Sequence, residues 1–156
     1  GFEQSISGQR LDKRLDGDTK RLGEKFVIAP NPPDLDYFDY PTVAYNEWEE
    51  KYLVVYHYKS GGGPDYTYQT FAQPVKDSYG STGSLLDGER FLIRASNIPT
   101  YFFFSKIGIK ASLFNNQFLV VWEFYENDSN DSILGRFLTP THQGSSNKIF
   151  IPLIAR

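Results

Sequence analysis

The chain has no cysteine and no methionine among its 156 residues. Without cysteine there are no disulfides, no thiol catalysis and no cysteine-bound zinc. The compartment stays open, because many secreted proteins also lack cysteine. No apolar run approaches the roughly 18–20 residues of a membrane-spanning helix, and no signal peptide is visible. With no methionine and an opening of Gly1-Phe2-Glu3, the sequence reads as a processed chain or a piece of a larger protein. An excess of positive charge is also absent: a net charge of −3 and a pI near 5.4 argue against an electrostatic nucleic-acid footprint.

Aromatic residues are plentiful instead, with 13 Phe, 11 Tyr and 2 Trp. Flat rings pack well on a pleated surface, so this composition favours sheet over helix. Hydrophobic residues make up 40% and charged residues 22%, enough apolar content for a chain of this length to bury a core. The central feature is the run Lys51-Tyr-Leu-Val-Val-Tyr56 and its near-copy Gln117-Phe-Leu-Val-Val-Trp122. Each is aromatic and β-branched, too short for a typical helix and bounded by polar loops, which predicts a strand buried on both faces.

Four strand types, a to d, recur in one order. Type a is Val43–Asn46 and Ser112–Asn115; type b is Tyr52–Tyr56 and Phe118–Trp122. Type c occurs as Ile6–Leu11, Tyr66–Phe71 and Ile133–Leu138. Type d occurs as Lys25–Ile28, Arg90–Ile93 and Lys148–Ile151. The connections carry turn chemistry: Asp16-Gly17-Asp18, Pro30-Asn31-Pro32-Pro33, Ser60-Gly-Gly-Gly-Pro64 and the Asn115-Asn116 pair, where Asn tolerates positive φ. The segment Asn46–Glu50 reads as a hairpin connection, Asp34–Tyr40 as an acidic aromatic loop, and Gln73–Gly88 as a long polar loop. The stretch Asp12–Gly23 reads as polar with a turn, the alternative being a short helix through Leu11, Leu15 and Leu22.

Four-stranded units in tandem predict an all-β, β-propeller-like architecture of antiparallel blades. The boundaries are a half-blade over 1–29 holding only c and d, a full blade over 40–94 and a second over 95–156. Two and a half blades cannot close a ring, so other chains or precursor segments are expected to complete it.

The segments ISGQRLD…DGDTKRLGEKFVIA, PTVAYN…KYLVVY…YTYQTF and SILGRFL resemble a repeat of secreted and cell-surface propeller-like proteins. The resemblance covers nearly the whole chain, apart from the loop 73–88 and the run 101–104. It carries no catalytic motif. What it implies is an extracellular or cell-surface setting and an antiparallel β-propeller fold.

Residues able to carry chemistry are few. His57 and His142 have no partner at ligand spacing, and the a strands carry no carboxylate for glycoside hydrolysis. Asp34, Asp36 and Asp39, and Asp128 with Asp131, offer oxygen ligands at short spacing for a cation such as calcium, although neither loop matches the Asp-x-Asp-x-Asp-Gly pattern. A solvated acidic loop is the simpler account of both. Asn127-Asp-Ser129 and Asn130-Asp-Ser132 are consecutive glycosylation signals if the source is eukaryotic. Trp48, Tyr37, Phe38 and Tyr40 are candidate ligand-facing aromatics, able to stack on sugars or anchor a protein. Tyr101, Phe102, Phe103 and Phe104 form either inserted core or a patch meeting another subunit.

The expectation is a non-catalytic extracellular structural or interaction module of a larger propeller or multichain assembly, with no cofactor, nucleic acid or membrane insertion. A carbohydrate-binding, lectin-like propeller is the alternative, and a polysaccharide-acting glycosidase fragment comes third.

Overall fold

A computed structural model describes residues 5–13, 19–30, 32, 36–61, 67–76, 85–97, 106–127, 130–139 and 148–151. Among them are ten strands and no helix: β1 (Ile6–Lys13), β2 (Thr19–Ala29), β3 (Tyr37–Asn46), β4 (Lys51–Ser60), β5 (Thr67–Lys76), β6 (Phe91–Asn97), β7 (Ile107–Ala111), β8 (Phe118–Asn127), β9 (Asn130–Leu138) and β10 (Lys148–Ile151). The fold is all-β. Its three sheets are antiparallel meanders in which chain neighbours are sheet neighbours, ordered β1-β2, β3-β4-β5-β6 and β7-β8-β9-β10. The expected strand order, c–d followed twice by a–b–c–d, is therefore the observed one.

Alternation along β4 explains how the sheets hold together, since successive strand side chains point to opposite faces. Leu53 and Val55 join Ala72 and Ile93 and meet Ile107, Phe118, Val120, Trp122 and Leu138 of the third sheet. Val54 and Tyr56, with Val75 and Leu85, meet Ile6, Ile28 and Ala29 of the first sheet. One five-residue run thus serves two interfaces. In β8 the residues equivalent to Tyr52, Val54 and Tyr56 are Phe118, Val120 and Trp122, and they too face the preceding sheet. Leu119 and Val121 point to the opposite face and are half-buried. Burying one side chain the size of Phe118 contributes about 2–3 kcal/mol.

The register departs from the sequence expectation in the middle c strand. Small residues stand opposite the first apolar residue of each d strand: Gly8 opposite Phe26, Ala72 opposite Phe91 and Gly135 opposite Ile149. A β-carbon on Gly8 would lie 2.4 Å from the Phe26 ring, so the ring fills the space the glycine leaves. The counterpart of Gly135 is therefore Ala72, and the middle c strand is displaced four residues from Tyr66–Phe71.

Strand β5 runs to Lys76, four residues into the stretch expected to be a polar loop. The Pro74 carbonyl accepts from Asp87 N and the Lys76 N–H donates to Leu85 O. The Pro74 nitrogen therefore faces away from β4, and its missing proton removes no bond between β4 and β5. Gln73 is buried, and its Nε2 donates to the carbonyls of Pro74 and Gly88, both at 3.0 Å.

Other corrections concern the ends of elements. The described residues of the polar stretch 12–23 are arms of the β1–β2 hairpin: Leu11 lies on β1 and Leu22 on β2, opposite Arg10, while Leu15 lies outside the described residues. The Asp16–Asp18 turn lies outside the described residues. The segment Asp34–Tyr40 is strand from Tyr37 onward. A bulge interrupts it between Asp39 and Thr42, where Tyr40 and Pro41 oppose a single residue and Tyr40 takes φ +48°.

The second a strand is β7, not Ser112–Asn115. Strand pairing stops at Ala111 opposite Phe118, and 112–117 form a wider turn.

Among the described residues, sheet one holds two strands. Beside it an open groove of about 970 Å³ runs along β1.

Candidate functional site

The a–b turns of the two complete sheets lie side by side and have one construction. In the first, Asn46 ends β3 and its Oδ1 accepts from Trp48 N at 2.9 Å. In the second, Ser112 follows β7 and its Oγ accepts from Phe114 N at 3.2 Å. A short polar side chain thus caps each turn two residues on. Four residues then complete each turn, Glu47-Trp48-Glu49-Glu50 and Leu113-Phe114-Asn115-Asn116. Glu50 takes φ +52° to bring the chain back into β4.

Side chains knit the two turns together. Trp48 Nε1 donates to the Leu113 carbonyl at 3.2 Å, and Asn46 Nδ2 donates to Asn116 Oδ1 at 3.1 Å. Asn116 Nδ2 in turn donates to Glu49 Oε1. The result is a rigid rim bearing exposed apolar side chains: Trp48 is 65% exposed, Leu113 68% and Phe114 89%. A small cleft of about 230 Å³ lies beneath Trp48, between Tyr45, Lys110 and Leu113. Solvated rings held on a fixed backbone can stack on a flat ligand face or anchor a partner chain.

Behind the rim lies a charge network. Lys51 Nζ reaches Glu49 at 3.2 Å and Asp87 at 2.9 Å, and Lys76 reaches Asp87 at 3.5 Å. Hydrogen bonding from Lys51 holds the Asp87 carboxyl below its usual pKa, and the same bond raises that of Lys51. These pairs tie the base of the first turn to the 85–87 segment.

Trp48 is where the sequence placed it, on an exposed turn. Phe38 is not free: it is half-buried, edge-on to Tyr56 with ring centroids 5.4 Å apart, and it packs against the core between sheets one and two. Tyr40 is exposed at the β3 bulge, 40% accessible, and Tyr37 is on β3 with its side chain outside the described residues.

Asp36 accepts from the Tyr58 hydroxyl at 2.5 Å and from Gly61 N at 2.9 Å, which closes the far end of the β3–β4 hairpin. That bond, above all, pushes the Tyr58 pKa up. Asp39 accepts from Tyr40 N, and partial burial raises its pKa.

Asp34 and Asp128 lie outside the described residues, as does the side chain of Asp131. No group of three or more metal-ligating residues occurs among those described. Asn127 and Asn130 face each other across the β8–β9 hairpin, and their side chains are likewise outside the described residues. So are Tyr101 to Phe104 and His142. His57 is buried, with Nδ1 3.0 Å from Thr70 Oγ1.

Leu113 and Phe114 are the rim residues that the sequence hid. They read as strand because they are apolar and precede an Asn-Asn pair. The available signal was the polar cap: Asn46 and Ser112 each stand two residues before a large aromatic.

No family model matches the chain, and no curated protein or solved structure matches it either.

Proposed function

We propose that the chain is a non-catalytic structural and interaction module, part of a larger β-propeller-type assembly working outside the cell or on its surface. Its missing strands come from other chains or from other segments of the same precursor. One observation carries this reading: the second sheet is covered on both faces by the alternating residues of a single strand, Leu53 and Val55 on one side and Val54 and Tyr56 on the other. A sheet built to be buried on both faces belongs to a stack, and a stack needs capping or closure at its ends. The half-exposed outer face of the third sheet, with Leu119 and Val121, extends the same logic. Sedimentation tests it. The expected result is association into a species of defined stoichiometry, and a monodisperse, fully folded 17.9 kDa monomer overturns it.

A second reading has its own observation. Trp48 is two-thirds exposed with its indole N–H engaged by Leu113, beside the fully displayed Phe114. Such fixed rings suit the apolar face of a sugar, as in a lectin. Glycan-array binding that disappears in Trp48→Ala supports it, and binding unaffected by that change removes it.

A further inference from the structure

Resting on the module reading, we infer that the groove beside β1 receives a β-hairpin of this chain's own repeat type. Its second strand adds antiparallel to β1 and places a β-branched residue opposite Gly8.

The groove touches every residue from Ser5 to Leu11. Side chains alternate between faces along a strand, so a cavity lined by seven consecutive residues runs along its edge. That edge is the one away from β2, and no described strand pairs with it. The far wall comes from Phe38 and Val43 of β3 and the floor from Tyr52, Val54 and Val75. Of these, Val54 and Val75 belong to the core between sheets one and two, as do Ile6 and Ile28, which also line the groove. The groove is therefore continuous with an existing interface and is its unfinished part.

The other interface in the molecule shows the finished form. There the b strand of the second sheet lies beside its c strand, and Leu53 and Val55 pack onto Phe118, Val120 and Ile107 of the next sheet. The same positions in the groove are floored by Tyr52 and Val54, the equivalents of Phe118 and Val120.

Register follows from the small residue of each c strand. Val55 stands opposite Ala72, and Val121 stands opposite Gly135. Gly8 is the third member of that series, because it alone faces Phe26 as Ala72 faces Phe91. The incoming strand therefore carries a Leu-x-Val pattern toward the second sheet, with its Val at Gly8. Exposed Val43, 57% accessible on the groove wall, is covered by the hairpin's first strand. A strand edge with no described strand beside it, above an apolar floor, is the arrangement that strand addition uses, backbone bonds giving affinity and alternate pockets giving specificity.

A synthetic peptide of residues 37–60, the chain's own a–b hairpin, serves as the probe against the intact protein. Hydrogen exchange followed by NMR should show slowed exchange at alternate amides between Ser7 and Leu11. Val43→Glu in the intact protein, at a position 57% exposed in the free chain, should weaken binding of the unaltered peptide by at least about tenfold, because the carboxylate is buried unpaired in the complex. An unchanged urea midpoint of the free variant shows that it folds. A peptide in which Leu53 and Val55 are both Lys should not protect β1. Absence of protection at Ser7–Leu11, whether nothing is protected or only β6, β10 or the outer face of the third sheet, overturns the inference, as does equal affinity for Val43→Glu. Neither result touches the module reading, whose own failure is the lone folded monomer.

Discussion

The two interfaces between sheets share the strand β4, yet they differ in the number of described strands that lie across from it. Between sheets two and three, four strands face four, and Leu53, Val55, Phe118 and Val120 are fully buried. Between sheets one and two, two described strands face four. Val54 and Tyr56 are still covered, but their neighbour Tyr52 is only half-buried and Val43 stands exposed. The chemistry of the residues is alike on both sides. What differs is the number of strands opposite them, so burial here is a property of the stack rather than of the sequence run. A run such as Tyr52–Tyr56 is apolar throughout because every position is meant to have a sheet across from it.

The comparison breaks most visibly at equivalent positions. Phe118→Ala empties a site with 0% exposure and should destabilise the fold by about 3–5 kcal/mol in urea unfolding. Tyr52→Ala, its counterpart facing the groove, should cost about half as much, since part of its ring already meets solvent. Equal losses at the two sites end the claim that the interfaces differ in completeness.

A smaller effect separates the glycines. Gly8→Val drives a side chain into the Phe26 ring and should cost about 1–3 kcal/mol. At Gly135 an added methyl meets only ordinary contacts, 3.4 Å from Val121 and beyond, so Gly135→Ala should fall within about 1 kcal/mol. Thermal unfolding of the two variants side by side gives the order.

Asn46→Ala removes the cap on Trp48 N and the bond to Asn116, both in a buried position, for about 1–2 kcal/mol. Ser112→Ala, with a single exposed bond, should cost less than half of that.

The smallest expected effect is electrostatic. Asp87 has its pKa lowered by Lys51, so its contribution is present above the ordinary carboxylate range and is lost as pH falls through the depressed value. The pair is partly solvated and worth about 0.2–1 kcal/mol. Asp87→Asn should therefore be slightly less stable than wild type at neutral pH and indistinguishable from it at strongly acid pH, as followed by the urea midpoint.

The b and d strands were legible in the sequence because their burial is carried by contiguous apolar runs that no other element could use. The pairing of β1 with β2 was legible for the same reason, as two apolar runs in sequence, c then d, with a turn signal between them. The extent of β5 was hidden. Gln73 and Pro74 look like loop residues, and only their backbone and side-chain partners at 85–88 make them tolerable within a sheet. The second a strand was hidden by exposure in the wrong place, since Leu113 and Phe114 are apolar yet point to solvent, while Gly108 and Lys110 interrupt the strand proper. The candidate rim was half legible. Trp48 announced itself among glutamates, whereas its partner turn appears only once the caps are aligned.

The division of one strand between two cores has a mechanical consequence. Leu53 and Val54 are joined by a single peptide bond, yet each answers to a different sheet. A shift of the backbone that relaxes one contact strains the other, so the interfaces behave as neighbouring links of a chain rather than as independent bonds. Loosening then enters from the ends, where a sheet has one neighbour, and is resisted in the middle, where it has two. The first sheet, with two strands among the described residues and an open groove, is the link at which this stack opens first.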